Sequence, residues 1–528
     1  MNSTMTSTVL GIVGAGLTLA ACGSGSGPSA KGNIKTDASI VYAIASDPGN
    51  LDPQLTSVDL NREVGRFAYD PLVYRNKDGK IVSGLAQSWK VGESTSTFDL
   101  KDGIACSDGT KFTAETAANN LSFILKDGSG SPYASSFPKG TTASASGSTL
   151  TLSTPQPASF LLVNLADIPM VCQAGLDDRK GLASKTLGTG LYTLTGSKTG
   201  TSYTYTRNDK YTWGPDGASA SLKGVPKKVT LRVISNKTTA ANLIASGDVN
   251  IAVVSGPDQK RLEKMKNLHI ATNKILRGLF AFNEAPGRIT QDIKIREALV
   301  KGVDLKAARS VITGGSGSKP TTLLSLEPKV CPGNTVDGNI PGTDVAKAKK
   351  VLDDAGWVAG NGGQRSKDGK ALKVNILTPN FAGPGYTDGA DYVASQWRKL
   401  GIKVSINAVP AAQLNDALFS TANYDVSLVG IAERTPNQMS QYFSGPRPPT
   451  GTNFPALTNK AYDAVVNGTP KVDPKQECDR WNNAETALFK DFSVVPFANV
   501  DVPVFGNKVT FDEIGGWIVP SSIRAYSK

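Results

Sequence analysis

Residues 83–120 read SGLAQSWKVGESTSTFDLKDGIACSDGTKFTAETAANN. The segment STFDLKDG (96–103) predicts a strand that closes on a turn, since Asp-Gly supplies the positive φ a tight reversal needs. A second turn, Ser107-Asp108-Gly109, precedes a short strand. Thr113 then stands where a helix N-cap is wanted, ahead of a helix carrying Leu121, Phe123 and Ile124.

Outward from this stretch, helix and strand signals alternate. SIVYAIAS (39–46) predicts a strand, and DPGNLDPQ must end it because each Asp-Pro is a turn. NREVGRFAYDPLVY (61–74) predicts an amphipathic helix with Val64, Phe67, Ala68 and Leu72 on one face. Residues 128–149 predict a loop, followed by the strand TLTLST. GTGLYTLTGSKTGTSYTYTRND (188–209) predicts a β-hairpin. VTLRVIS and VNIAVV are strands, TAANLIASG is a helix stopped by Gly247, and DQKRLEKMK is another helix. LRGLFAFN (276–283) is a strand. The alternation then restarts through IKIREALVKGVD, DVAKAKKVLDDAGW, ALKVNILT, YVASQWRKLG, IKVSINAV and NYDVSLVG. AYDAVVNG and ECDRWNNAETALFKD close it as helices, and SVVPFANVDVPVFGN reads as extended, apolar and broken by proline. Such alternation predicts mixed α/β structure, here in two lobes joined by more than one crossing. No short-period repeat occurs.

The N-terminus has a separate logic. Val9–Ala21 is an apolar run too short to span a bilayer but of signal-peptide length. Leu19-Ala20-Ala21-Cys22-Gly23 resembles a bacterial lipobox, which implies cleavage before Cys22 and diacylation of its thiol, although MNSTMTST lacks the usual Lys or Arg. More than one acyl chain anchors stably to a membrane. GSGSGPSAKGNIKTDA would then serve as a tether with a root-mean-square reach of about 20 Å. Residues 1–21 are therefore expected to be a lipoprotein signal peptide and 22–38 a flexible tether, with the body beginning near Ser39 on the extracytoplasmic face.

Composition narrows the function. The 528 residues exceed one small core, so two or three domains are expected, and 39% hydrophobic with 19% charged content is globular. A net charge of +12 with no run of five Lys/Arg gives a solvated basic surface and no nucleic-acid site. A single histidine, His269, leaves no His-based triad or His-rich metal site. No P-loop, GxSxG, GxGxxG or HExxH is present, and GTG (188–190) and GGSGS (314–318) lack the Lys-Ser/Thr that phosphate chemistry requires. The acid pairs Asp177-Asp178 and Asp353-Asp354 are adjacent and so point apart. No catalytic residue, cofactor or metal site is assigned.

The opening stretch also carries a family pattern. Leu85, Ala86 and Trp89; Phe98, Leu100, Lys101 and Gly103; Ser107, Asp108, Gly109 and Thr110; and Thr113 with Ala114 resemble the family-5 extracellular solute-binding proteins of ABC importers, the oligopeptide, dipeptide and nickel group. LDP (51–53), GTGLYTL (188–194), RNDKYTWGP (207–215), ASGDVNIA (245–252), FNEAP with DIKIREAL (282–299), AKKVLDDAGW (348–357) and LGIKV (400–404) extend the likeness over 39–528. The resemblance implies an α/β, two-lobed periplasmic-binding-protein-like clamp (type II, cluster C). Lobe I would be 39–283, with an extra subdomain at about 75–187. Lobe II would be 284–498, and 499–528 would return to lobe I. Four cysteines besides Cys22 allow three pairings; Cys106–Cys172 and Cys331–Cys478 are expected because each pair lies within one lobe.

Such a clamp would close on a peptide or small solute and hand it to a membrane permease, as a monomer held to the membrane by lipid. In peptide-binding relatives, main-chain bonds from both lobes hold the ligand. The matching segments are Ser57-Val58-Asp59, Arg277-Gly278-Leu279-Phe280 and Ile431-Ala432-Glu433-Arg434-Thr435-Pro436. Ile431 stands where relatives carry Trp. The Asp that receives the ligand's amino terminus maps to Ala432 without a gap and to Glu433 with a small one. Glu433 or Asp59 is expected to meet a ligand cation, and Arg277 or Arg434 an anionic end. A chelated metal as cargo, a lipid-anchored cell-wall enzyme and a sensor using the same clamp are the competing readings.

Overall fold

Alternation along Ser39–Ile44 sends Ile40, Tyr42 and Ile44 to one side of a sheet and Val41 and Ala43 to the other, and both sides are covered. The computed structural model describes residues 32–56, 58–381 and 383–527. Cys22, the segment 1–21 and Ser57 lie outside the described residues. One ten-stranded mixed sheet runs through the molecule. From edge to edge its strands are Lys403–Val409, Lys373–Pro379, Val426–Ile431, Leu268–Phe282, Val494–Asn507, Ile251–Val253, Ser39–Ile44, Lys228–Val233, Ser202–Arg207 and Tyr192–Lys198.

Two of these strands are long enough to belong to both halves. Leu268–Phe282 and Val494–Asn507 pair antiparallel from Leu268 opposite Asn507 to Ala281 opposite Val494. Their register slips twice, between Leu276 and Gly278 and again between Gly278 and Leu279. A Cβ on Gly278 would stand 2.7 Å from the Ala498 Cβ and 2.7 Å from the Phe497 ring, so the close approach there requires glycine. Pro496 and Pro503 sit inside the second long strand without ending it; the expected proline break is a continuous strand whose bulges absorb the irregularity.

Each half has its own core. Lobe I buries Tyr42, Phe67, Phe98, Tyr192 and Tyr205 on one face of the sheet. On the other face it buries Ala241, Ile244 and Leu262, from the helices Lys237–Ser246 and Pro257–Glu263. Gly247 ends the first of these at φ +86°, as the sequence predicts. Lobe II buries Phe280, Phe282, Val393 and Trp397 on one face. Leu279, Phe443, Trp481 and Phe489 fill the other. Both expected disulfides are present, and each stays within one lobe.

The opening stretch forms the subdomain of lobe I. Ala86–Lys90, Thr95–Leu100, Thr149–Ser153 and Thr142–Ser146 make an antiparallel sheet. The helix Ala114–Leu125 packs on it, with the Thr113 hydroxyl accepting from Thr116 N–H at 3.2 Å. Thr142–Ser146 was expected as loop. It is an exposed edge strand of small residues, and TASAS carries no apolar alternation to announce it.

Two further expectations are corrected. The helix read over 61–74 spans only Asp59–Gly65, and Val73–Arg75 is a strand. The chain leaves the helix so that buried Asp70 can accept from the Tyr74, Thr189, Tyr211 and Trp213 side chains. The tether was drawn to residue 38, yet residues 33–35 are tied to the C-terminus: Lys35 N–H donates to the Ala525 carbonyl and Ser527 N–H to that of Asn33. Residues 33–35 therefore belong to the folded body.

Candidate functional site

The short helix Asp59–Gly65 presents Asp59 and Arg62 from lobe I, with Arg66 just beyond its end. Opposite it, lobe II presents the loop after the strand Val426–Ile431. That loop is fixed by the next helix, Pro436–Phe443: Gln438 Oε1 accepts from Arg434 N–H (3.0 Å) and Thr435 N–H (3.2 Å). This capping box is the reason the Thr-Pro pair belongs in the loop.

Of the loop's two charged side chains, Arg434 reaches across the cleft. Arg434 is 8% exposed, and its Nη2 lies 3.5 Å from Asp59 Oδ1. Its Nε lies 3.7 Å from Asp167 Oδ2, and its guanidinium carbon stands 3.4 Å from the centre of the Trp517 ring. Glu433 Oε1 accepts from the Tyr442 hydroxyl at 3.2 Å. Burial pushes the Glu433 carboxyl above its ordinary range, against the opposing pull of that hydroxyl and of Arg434 and Arg62.

Trp517 arrives on a two-residue hairpin, Glu513–Ile514 paired with Trp517–Ile518, whose turn residues Gly515 and Gly516 have φ of +60° and +92°. Arg66 also stacks near this indole at 5.0 Å, and Arg62 lies 5.0 Å over the Tyr133 ring. Between them a cavity of about 20 Å³, lined by Arg62, Arg66, Tyr133, Asp167 and Trp517 among others, has room for one water-sized group.

Beneath the helix sits a buried acid pair. Glu63 Oε1 accepts from the Tyr42 hydroxyl at 2.6 Å. Burial pushes Glu63 up to about 7 and Glu513 up to about 8, and the Glu63 charge raises Glu513 further.

The sequence-predicted residues divide. Asp59, Glu433 and Arg434 meet at the cleft, with Val58 exposed beside Asp59 and Ala432 exposed beside Glu433. Ile431 is partly buried, paired with Leu276 at the bulge. Arg277 lies over the Tyr386 ring at 4.9 Å, on the lobe II side. The Phe280 ring is fully enclosed in the lobe II core against Trp397, Phe282 and Phe497, so its side chain packs and only its main chain is left for a ligand. Asp59, one of two residues expected at a ligand cation, and Arg434, one of two expected at its anionic end, pair with each other here. Asp167, Trp517, Arg62, Arg66, Tyr133 and Tyr442 were missed; only the Gly-Gly pair before Trp517 carried a readable hairpin signal.

Among the described residues no group of three or more His, Cys, Asp or Glu is placed to hold a metal ion, and no helix is long and apolar enough to cross a membrane. His269 Nε2 is hydrogen-bonded with the Phe511 carbonyl at 2.8 Å, a packing role.

Comparison with known proteins gives a consistent answer. The model for bacterial extracellular solute-binding proteins, family 5, middle part, matches residues 80–451. Protein XP55 of Streptomyces lividans is 28% identical over 504 residues, covering 91% of this chain and 87% of its own. The substrate-binding protein CtaP of Listeria monocytogenes superposes with a TM-score of 0.79 at 19% identity, over 93% of this chain and 100% of that one. The oligopeptide-binding protein AppA of Bacillus subtilis, solved with a nonapeptide, gives 0.73 at 20% identity over 94% and 100%.

Proposed function

The chain belongs to the family-5 bacterial extracellular solute-binding proteins, and from that premise we propose that it captures a short peptide or peptide-like solute by closure of its lobes. The solute then passes to a membrane permease of an ABC importer. Proteins of this family bind solutes and are not enzymes. The observation that carries the reading is the meeting of Glu433, Asp59 and Arg434 at the cleft, next to the bulge in the two long strands. Domain closure on a ligand is favoured by whatever the ligand touches on both sides at once.

Glu433 is the ammonium acceptor in this reading. It is partly buried, it lies within electrostatic reach of Arg62 and Asp59 of lobe I, and an incoming cation would favour its charged form. Val58, Ala432 and Ile431 supply main chain for the ligand backbone, as in an added strand, and Gly278 with Arg277 marks the pivot. We further assign 1–21 as a signal peptide, Cys22 as the lipidated residue and the folded chain as a monomer on the outer face of the cell membrane. Lobe I is assigned to 39–283 together with residues 33–35, lobe II to 284–498, and 499–528 returns to lobe I, with residues 276–282 at the end of the first long strand serving the lobe II cores.

The test is native mass spectrometry of the purified protein with retained solute, followed by titration of that solute against Glu433→Gln. An amine-bearing ligand should bind at least tenfold more weakly to the variant, about 1.4 kcal/mol. Unchanged affinity removes Glu433 from the site, and turnover of the solute overturns the binding role.

A further inference from the structure

We propose that Arg434 is a tethered self-ligand: from lobe II it fills a cation socket built by lobe I, so that it latches the closed form and excludes basic groups from that end of the cleft. The inference rests on the two-lobed binding reading and adds a specificity determinant to it. The socket has the parts that recognise a guanidinium or alkylammonium. An indole face lies under the cation at 3.4 Å, well inside the range of cation–π attraction. Two carboxylates flank it, Asp59 at 3.5 Å and Asp167 at 3.7 Å.

Every wall of the socket is lobe I and the occupant is lobe II. Trp517 is held by its hairpin, Asp59 opens the helix Asp59–Gly65, and Asp167 ends the helix Leu161–Asp167. Arg434 is equally fixed at its backbone, where Gln438 accepts from its N–H. A rigid knob therefore meets a rigid socket, and the contact is made only when the lobes are together. Both carboxylate distances exceed the 2.7–3.2 Å of a formed N–H···O bond. The latch holds by stacking and charge, and it can part without breaking directional hydrogen bonds.

A cationic group on the solute would have to displace Arg434 to use this socket. Nearby Arg62, Arg66 and Arg75 oppose a second positive charge at the same place. The amine of the solute is therefore left to Glu433, and a basic side chain at the Trp517 end is refused.

The experiment uses the mature, ligand-free full chain, so that its outcome is independent of which solute the protein carries. Inter-lobe fluorescence transfer and small-angle scattering follow closure in wild type, Arg434→Ala, Arg434→Lys and the double variant Arg434→Ala/Trp517→Leu. Arg434→Ala should shift the closing equilibrium towards open by about 30-fold, the size of a desolvated cation–π contact. Millimolar methylguanidinium, competing for a socket built wholly by lobe I, should open wild type and leave Arg434→Ala and the double variant unmoved. Arg434→Lys should fall between, since its ammonium cannot stack flat on the ring. The proposal is overturned if Arg434→Ala closes like wild type. It is overturned equally if methylguanidinium acts on all four proteins alike, or if Arg434→Lys opens as far as Arg434→Ala. If Arg434→Ala does not fold, the decision passes to Trp517→Leu in the wild-type background, which must open by a comparable factor. Failure of solute binding in wild type, with this pattern intact, would instead count against the transport reading alone.

Discussion

Truncating Phe160 should open the clamp at a point remote from the ligand. The helix Leu161–Asp167 divides its faces between the lobes: Leu161 and Leu165 enter the lobe I core, whereas Phe160 and Val163 pack against the lobe II core around Trp481 and Cys478. Asn164 Nδ2 donates to the Ser136 carbonyl (3.4 Å) in the lobe I subdomain, so this segment is tied to lobe I. Ser159 Oγ in turn donates to Glu477 Oε1 of lobe II at 2.5 Å. Phe160 is 8% exposed in the closed form, and opening would return its ring to water. The transfer term of a buried Phe is about 2 kcal/mol, and because the lobes part no permanent cavity need be added. Phe160→Ala should therefore disfavour the closed state by about 2 kcal/mol. Closure and affinity are linked, so the apparent affinity for the solute should fall roughly 30-fold where the open form predominates without ligand. Phe160→Leu should recover most of the loss. Isothermal titration gives the affinity, and inter-lobe fluorescence transfer gives the closed fraction. If both stay at wild-type values in Phe160→Ala, the segment 155–167 moves with lobe II and the division of the helix is mistaken.

The remaining predictions concern stability. Glu63 and Glu513 have folded pKa values of about 7 and about 8, above the ordinary 4.5, so the folded form holds protons that the unfolded chain releases. The stability they contribute is complete below pH ~4.5 and is lost as pH rises through 7 to 8. Glu63→Gln should raise the thermal midpoint at pH 8.5, on the order of 3 kcal/mol at most, and leave it nearly unchanged at pH 4; equal shifts at both pH values would deny that Glu63 is held protonated. Reduction of Cys331–Cys478, which closes a loop of 147 residues, and of Cys106–Cys172, which closes 66, should each lower unfolding free energy by up to about 4–5 kcal/mol. Because neither bond crosses the cleft, scattering of the still-folded reduced protein should show the same closed dimensions when solute is bound; a changed shape would place one of the bonds across the hinge.

How much of this was readable in the chain depends on whether the signal was local. Thr113 caps its helix and Gly247 stops another because the responsible residue lies within one turn of the effect. The edge strand Thr142–Ser146 was invisible because its side chains bury little and its pairing partner provides the order. Asp167 and Trp517 stand 350 residues apart and belong to one socket only through Arg434, so no window along the sequence contains the site. The carboxylate–arginine pairing of Asp59 with Arg434 was likewise a choice among charges that only their placement could decide.

Phe280 shows how a strand read from its sequence can leave open which core a side chain serves, and the cause lies in the bulge. Alternation assigns faces by counting in twos, and each bulge resets the count. Two slips fall between Leu276 and Leu279, so Leu276, Leu279 and Ala281 serve one core of lobe II while Phe280 and Phe282 serve the other. Neither face is free to line a cleft beyond that point. The same slips interrupt the pairing of the two strands that carry the chain between lobes, and they do so where Gly278 permits backbone contact with Phe497 and Ala498. Bending is easiest where ladder hydrogen bonds are already disrupted, so the proposed pivot at Arg277 and Gly278 falls where the ladder is weakest. On the proposed reading, a ligand seated there would gain contacts from both lobes with the least motion, and solute capture and closure would be one event.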